Sequence, residues 1–310
     1  MKRIPVLGTR GSRLALVQAR RVAELLGGTT RLRTIRTTGD RVKEELAPGG
    51  SDIGFFTREI EARLLEREVD IAVHSLKDLP TVPPAGLRLA AVLERDFVTD
   101  VIITTPRFVA GGEIPAIAPG ARIGTSSLRR RALQAVFLPG TTAVPMRGNV
   151  DTRIRKLREG ICDALLLSRA GVERLALRFD DLVVLEISPL LWLPSPGQGV
   201  IAVEVREGDP EMIELCSGIN HPPTMSATSI EREVMRLAGG GCHAPFGAYA
   251  RPAAGGTWSV HAGTVDESGR WRSVDATGEA GSLPAAALAL LRESREPGRP
   301  DGGPLLRRLA

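Results

Sequence analysis

Aromatic residues make up only 4% of the 310 residues, too few for the stacking surface by which proteins hold single-stranded nucleic acid. No nucleic-acid partner is expected. Lysine is nearly missing: it occurs only at Lys2, Lys43, Lys77 and Lys156, so arginine carries almost all the positive charge behind a formal net charge of +5. No apolar run approaches the ~18 residues that a spanning helix needs, and no membrane partner is expected. The N-terminal MKRIPVLGTRGS has an apolar stretch too short for a secretion signal. Cysteine is scarce and odd in number, at Cys162, Cys216 and Cys242, with no C-x-x-C pair. A metal site is not expected, and the pattern fits a reducing, cytoplasmic setting.

What the chain does have is a repeated vocabulary of strand, small polar turn, arginine and helix. Ile4–Gly8 reads as a buried strand, and Thr9-Arg10-Gly11-Ser12 as the turn after it. Ser12 is placed to cap a helix bearing Leu14, Val17, Val22 and Leu25. Arg31–Thr37 is expected to be a strand and Thr38–Ile53, with Pro48-Gly49-Gly50-Ser51, a mobile loop. Thr57–Glu68 is expected to be helical, with Ile60, Leu64 and Leu65 inward. Val69–His74 is a continuous apolar strand, and Ser75-Leu76-Lys77-Asp78-Leu79-Pro80 follows it. Ligands of open α/β sheets bind beyond the carboxyl ends of strands, so Ser75, Lys77 and Asp78 stand where chemistry is expected. Taken alone, these six residues favour a solvated turn for Lys77 and Asp78.

The pattern returns after the Gly/Ala/Pro-rich stretch 110–119. Arg122–Gly124 is a strand, and Thr125-Ser126-Ser127 opens a helix carrying Arg129, Arg130 and Arg131. Thr141–Met146 is a strand, and Arg147-Gly148-Asn149 opens the helix with Val150, Ile154 and Leu157. Asp163–Leu167, Leu182–Ile187 and Val200–Val205 read as strands, and Gly171–Leu175 as a short helix. Helix N-termini and guanidinium forks suit carboxylates or phosphates. An anionic small molecule is the expected ligand.

Ala227–Leu237 is expected to be a helix that leads into LAGGGCHAPFGAY, where Gly239, Gly240 and Gly241 precede Cys242. Glycine lets a chain reach positive φ and lets other groups come close, so the segment reads either as a presented, reactive thiol or as a structural cysteine. Strands near Ala248, Trp258–Ala262 and Arg270–Val274, a helix Leu283–Arg292 and a frayed Glu296–Gly303 tail complete the chain.

DIAVHSLKDLP, GTSSLRRRALQ, RGNVDTRIRKL, LPSPGQG and GGCHAPFGAYA, in this order, resemble the porphobilinogen deaminase family. The resemblance implies two periplasmic-binding-protein-like α/β domains flanking a cleft, plus a small α+β C-terminal domain. The domains expected are residues 1–99 with 200–217, residues 100–199, and residues 218–310 with the cysteine. It implies a transferase that joins four porphobilinogen molecules into linear hydroxymethylbilane, acting as a cytoplasmic monomer on a small-molecule substrate. It implies a dipyrromethane cofactor held by Cys242 through a thioether, with Asp78 as the catalytic carboxylate. Lys77, Asp78, Thr125, Ser127, Arg129, Arg130, Arg147, Gly148 and Gln198 are implied to hold the cofactor. Arg10, Ser12, Ser75, Arg147, Arg153 and Arg174 are implied to hold substrate. The chemistry agrees: every pyrrole unit carries two carboxylates, and loss of ammonia leaves an electron-poor azafulvene. A carboxylate would stabilise the cation, and sulfur would attack the same electrophile.

The chain departs from the family pattern at Ile53, where a lysine is common, at Gly239, where a glutamate is common, and near Ala227, where an arginine is common. Two anion-binding α/β lobes would also describe a cytosolic solute-binding module, in which Cys242 is structural and Asp78 a turn residue.

Overall fold

The computed structural model describes residues 4–37, 57–111, 116–239, 244–294 and 304–309. In chain order, β1 (Val6–Arg10) leads into α1 (Arg13–Leu25), and β2 (Arg31–Ile35), α2 (Arg58–Leu65), β3 (Ile71–Ser75) and β4 (Leu87–Val92) follow. Next come β5 (Asp100–Thr104), the short pair β6 (Val109–Ala110) and β7 (Ala116–Ile117), β8 (Arg122–Gly124), α3 (Leu128–Phe137) and β9 (Thr142–Val144). They precede α4 (Val150–Arg158), β10 (Ala164–Ser168), α5 (Arg169–Arg174) and β11 (Val183–Ile187). The chain continues with β12 (Ile201–Arg206), α6 (Pro210–Ser217) and α7 (Pro222–Leu237). It ends with β13 (Gly247–Pro252), β14 (Trp258–Val265), β15 (Trp271–Gly278), α8 (Leu283–Glu293) and β16 (Leu306–Arg308).

Contacts divide the chain into two units, residues 1–96 with 199–226, and residues 97–198 with 227–310. In the first, the strand order is β2-β1-β3-β12-β4, with β1 parallel to its neighbours and β12 antiparallel to β3 and β4. Side chains alternate across this sheet, as strand geometry requires. Leu7, Ile71, Val73, Val203 and Val205 pack with α1 and α6. Ile35, Ala72 and Leu87 pack with Ile60 and Leu64 of α2. A sheet covered on both faces has near-continuous apolar strands, and β12 is buried along its whole length.

In the second unit the order is β16-β11-β5-β10-β8-β9, parallel only through β10, β8 and β9. Ile102, Ile123 and Leu166 pack with Leu133 of α3. Val101, Ile103, Leu165 and Leu167 face the opposite way, toward Ile154 and Leu157 of α4 and Val172 of α5. The antiparallel β13-β14-β15 sheet buries Ala248, Val260 and Ala262 under Ile230 and Val234 of α7 and Ala287 and Leu291 of α8. Its other side brings Tyr249 and Trp271 into the cluster around α3. The sequence reading sets residues 218–310 apart as a third domain; by contact, 227–310 group with 97–198.

β4, β5, β6, β7, α6 and β16 have no counterpart among the expected elements. Leu65, expected inward, is 46% exposed, because Ile60 and Leu64, four residues apart, already fill the buried stripe of a short helix. The expected loop 38–53 and tail 296–303 lie outside the described residues. Among the described residues no helix is long and apolar enough to cross a membrane.

Candidate functional site

In the first unit the site residues collect at the carboxyl ends of β1 and β3. Ser12 caps α1, its hydroxyl accepting from the Ala15 amide at 3.3 Å. Arg10 ends β1 and is half-buried. Ser75 ends β3, the strand between β1 and β12. The Gln18 amide nitrogen donates to the Ser75 hydroxyl at 2.9 Å, which ties α1 to the end of β3. Gln18 is only 2% exposed; sequence reading did not single it out, and its signal was a polar residue on the inward stripe of a helix.

Leu76–Asp78 form one turn of 3-10 helix after β3. The Leu76 amide donates to Val200 O at 3.0 Å, and the Leu79 amide to Leu76 O at 3.2 Å. Leu76 and Leu79 are buried with Val92, Val200 and Ala202, so the turn is pinned at both ends. Lys77 and Asp78 lie between the anchors, half-buried. A carboxylate and an ammonium are thus presented on a fixed turn.

Beneath it lies a buried polar group that the sequence reading missed. His74 Nε2 stands 3.2 Å from Glu204 Oε2, both side chains almost fully buried. The pair is within ion-pair distance but not aligned as a hydrogen bond. Burial first, and then the charge of Glu204, push the Glu61 carboxyl above its ordinary value.

In the second unit the turns after β8 and β9 carry the candidate residues. Thr125 is buried, and its hydroxyl accepts from the Ser127 amide at 3.2 Å. Ser127 caps α3, accepting from the Arg130 amide at 3.4 Å. The Ser126 hydroxyl lies 3.0 Å from the Met146 amide nitrogen and joins the two turns. Arg147 is exposed. Gly148 takes φ +116, a conformation that favours glycine. Arg153 Nε donates to Gly148 O at 2.7 Å, bracing that turn. Arg174 closes α5, half-buried.

Arg129 and Arg130 are not surface cations. They are 4% and 7% exposed, and both reach Asp100 at the start of β5, itself 1% exposed. Arg129 Nη2 donates to Asp100 at 2.8 Å and Nη1 to Leu193 O at 2.6 Å. Arg130 donates to Asp100 through Nε at 3.0 Å and Nη2 at 2.6 Å, and through Nη1 to Leu166 O at 3.1 Å. Gln198 Nε2 donates to Asp100 at 2.9 Å and to Val98 O at 2.8 Å, and Trp192 Nε1 reaches Asp100 at 3.0 Å. Gln198, expected as a cofactor ligand, thus also belongs to this network. Asp100 and Trp192 were not singled out from sequence; an acid directly before the apolar run Val101–Ile103 was the available signal.

Cys242 lies outside the described residues. On one side of it, Gly239 takes φ +71 as α7 ends; the left-handed glycine is a common helix stop. The site departures at Ile53 and Gly239 therefore divide: Ile53 is outside the described residues, while Gly239 suits the backbone it occupies. Glu231, earlier on α7, accepts from the Gly197 and Ala250 amides, both at 2.9 Å, and so ties the helix to the strand after the cysteine segment. The other thiols are buried, and burial pushes Cys162 up to about 11 and Cys216 to about 12. Hydroxyls at a helix N-terminus and an exposed arginine on a braced turn form a donor set that fits a group bearing several carboxylates, while the two buried guanidiniums are bonded to Asp100.

A family model described as "Porphobilinogen deaminase, dipyromethane cofactor binding domain" matches residues 6–214. A protein named porphobilinogen deaminase from Desulforudis audaxviator is 44% identical over 257 residues, covering 81% of this chain and 81% of its own. One of the same name from Thermus thermophilus is 39% identical over 304 residues, covering 96% of this chain and 97% of its own. Among solved structures, "ABC transporter / periplasmic binding protein from Brucella ovis with glutathione bound" is 16% identical, covers 76% of this chain and 69% of its own, and has a TM-score of 0.43, a likeness too slight to bear on the fold.

Proposed function

The chain belongs to the porphobilinogen deaminase family, and from that premise we propose how its residues divide the work. It is a hydroxymethylbilane synthase, a transferase that joins four porphobilinogen molecules head to tail on a dipyrromethane primer. At each addition the aminomethyl C–N bond of a substrate breaks, ammonia leaves, and a carbon–carbon bond forms with loss of a ring proton; after four additions one water would enter as the bond to the primer breaks, and the tetrapyrrole would leave with a terminal hydroxymethyl group. When bound, the dipyrromethane supplies the free pyrrole carbon at which the chain grows.

Asp78 is the catalytic carboxylate in this reading. Its turn is fixed by Leu76 and Leu79, so its charge needs no reorganisation to meet positive charge developing on a pyrrole nitrogen. Lys77, Arg10, Ser12 and Ser75 hold acetate and propionate groups at the same sheet end, and Gln18 orients Ser75. Arg147, Gly148, Thr125 and Ser127 hold carboxylates at the helix N-termini, where backbone dipoles favour anions. Arg153 braces the Arg147 turn, and Arg174 contributes to substrate binding. Arg129, Arg130 and Gln198 serve the cofactor through buried charge and position. Cys242 carries the thioether, since the other two thiols are buried and hard to ionise. The protein works as a monomer in the cytoplasm, with no nucleic-acid or membrane partner.

The observation that carries the reading is the half-buried carboxylate on a pinned turn beside Lys77. Incubating the purified chain with porphobilinogen tests it. One ammonia for each porphobilinogen consumed, and one linear tetrapyrrole for every four, are expected, as the stoichiometry of the reaction requires; substrate recovered unchanged contradicts it.

A further inference from the structure

A fully buried acidic side chain is costly unless its hydrogen bonds are met. Glu231 on α7 is 0% exposed. Its neighbours Ile230 and Val234 already pack the helix against the β13-β14-β15 sheet through apolar contact, so holding the helix in place does not itself call for a carboxyl group. The two oxygens of Glu231 serve different segments. Oε1 accepts from the Ala250 amide at 2.9 Å, on the open side of the edge strand β13. Oε2 accepts from the Gly197 amide, also at 2.9 Å.

Gly197 lies inside a tight turn. The Gln198 amide donates to Ser195 O at 2.9 Å, and Gly197, directly after Pro196, takes φ +74. Proline followed by a glycine at positive φ is the signature of a type II turn. The residue this turn presents is Gln198, itself 0% exposed, whose side-chain nitrogen reaches Asp100 at 2.9 Å and Val98 O at 2.8 Å. Glu231 thus grips the strand after the cysteine segment with one oxygen and the Gln198 turn with the other. A carboxamide of the same size has one acceptor oxygen and one donor group, so it would leave one of the two amides unmatched.

We propose that Glu231 is a positioning residue: by spanning the Gly197 and Ala250 amides it sets the strand after the cysteine against the Gln198 turn, and it acts on the bound primer through Gln198. The proposal rests on the cofactor reading given above for what is positioned.

Glu231→Gln and Glu231→Asp are compared with Val260→Ala, which opens a cavity in the core under the same helix and touches neither bond. Each full chain is produced free of dipyrromethane, porphobilinogen is added, and intact mass follows attachment while thermal unfolding gives the midpoint. Glu231→Gln should acquire the dipyrromethane about tenfold more slowly than wild type, the effect of losing one charge-assisted hydrogen bond. Glu231→Asp is one methylene shorter, cannot reach both amides, and should be slowed in the same direction. Val260→Ala should load at a near wild-type rate although its midpoint falls. If the Glu231 variants load no more slowly than Val260→Ala, the residue is only structural and the proposal is overturned.

A second measurement needs no Glu231 variant. If the grip places the primer, the primer must in return stabilise the grip, because coupling between sites is reciprocal. Amide hydrogen exchange in residues 193–199 and 248–252 should therefore be about tenfold slower in loaded wild type than in Cys242→Ala. Equal exchange in the two proteins overturns the proposal. Wild type that acquires no dipyrromethane contradicts the function itself; wild type that loads while Glu231→Gln loads equally fast contradicts only the role given to Glu231.

Discussion

Gly247, the first residue of β13, lies against Leu193: a Cβ built on it would stand 2.6 Å from Leu193 Cβ and 3.0 Å from the Leu193 carbonyl oxygen. That carbonyl accepts from Arg129 Nη1 at 2.6 Å. The next residue, Ala248, donates its amide to Pro194 O at 3.0 Å. The strand that follows the cysteine segment is therefore seated on LPSPGQG, the same segment that the arginine network holds. Gly247→Ala should lower stability by about 1–3 kcal/mol, the usual cost of overpacking, and should reduce the fraction of chain carrying cofactor. Gly281→Ala, where nothing would meet the added carbon within 4 Å, should do neither. Thermal unfolding and intact-protein mass measure both effects.

Cys162 and Cys216 should be inert in the folded protein. Burial pushes their thiols to about 11 and about 12, so almost no thiolate is available at neutral pH. Native labelling with iodoacetamide, followed by peptide mass mapping, should leave both unmodified. Cys162→Ala and Cys216→Ala should keep the cofactor. Rapid labelling of either residue would contradict the burial that the structure gives them.

Asp78→Asn keeps shape and removes charge, so turnover should fall by at least ~10²-fold, as when a preorganised transition-state partner is lost. Asp78→Glu keeps the charge and should retain more activity. Both should fold, because Leu76 and Leu79, not Asp78, anchor the turn. Single-turnover rates with porphobilinogen, on samples whose attached dipyrromethane is verified by mass, separate chemistry from loading. A near wild-type rate for loaded Asp78→Asn would remove the electrostatic role.

Glu61 gives a pH prediction of definite sign. Burial, with Glu204 adding to it, raises its folded value above the ordinary glutamate range. The folded state then binds the proton more tightly than the unfolded state, and the stability linked to the neutral carboxyl is lost as pH rises through the raised value. Glu61→Gln cannot ionise. Relative to wild type it should gain stability as pH rises from below the ordinary glutamate value, reaching a plateau above the raised one. A gain of about 2 °C in unfolding midpoint at pH 8 corresponds to roughly 1 kcal/mol or less for a chain of this size. A difference that is flat with pH would show that Glu61 does not titrate differently in the two states.

The sequence makes β3 and its turn legible because the information is local. Ile71–Val73 is an apolar run between Asp70 and His74, and the spacing of Leu76 and Leu79 marks what is buried and leaves Lys77 and Asp78 between. The helices that open with Ser12 and Ser127 are legible for the same reason, a capping residue directly before an amphipathic stripe. Arg129 and Arg130 were legible as cations but not as buried ones. Their partner Asp100 lies 29 and 30 residues away, on a strand, and only pairing of β5 with β10, which sets Asp100 opposite Ser168, brings it to that edge. β16 was out of reach for another reason: three residues held by pairing with β11 and by Arg307 on Glu186 have too little pattern of their own. The grouping of residues 227–310 with 97–198 depends on Tyr249 and Trp271 packing toward α3, a contact that hydropathy along the chain does not encode.

Intact-protein mass spectrometry of the purified wild-type chain and of Cys242→Ala tests most directly whether this chain assembles a linear tetrapyrrole on a dipyrromethane carried by Cys242. Wild type should be heavier than its sequence by one dipyrromethane, and heavier again by successive single pyrrole units after brief exposure to porphobilinogen. Cys242→Ala should fold and show only the sequence mass before and after exposure. Wild type at the bare sequence mass under both conditions, or the same added mass on Cys242→Ala, would contradict the claim.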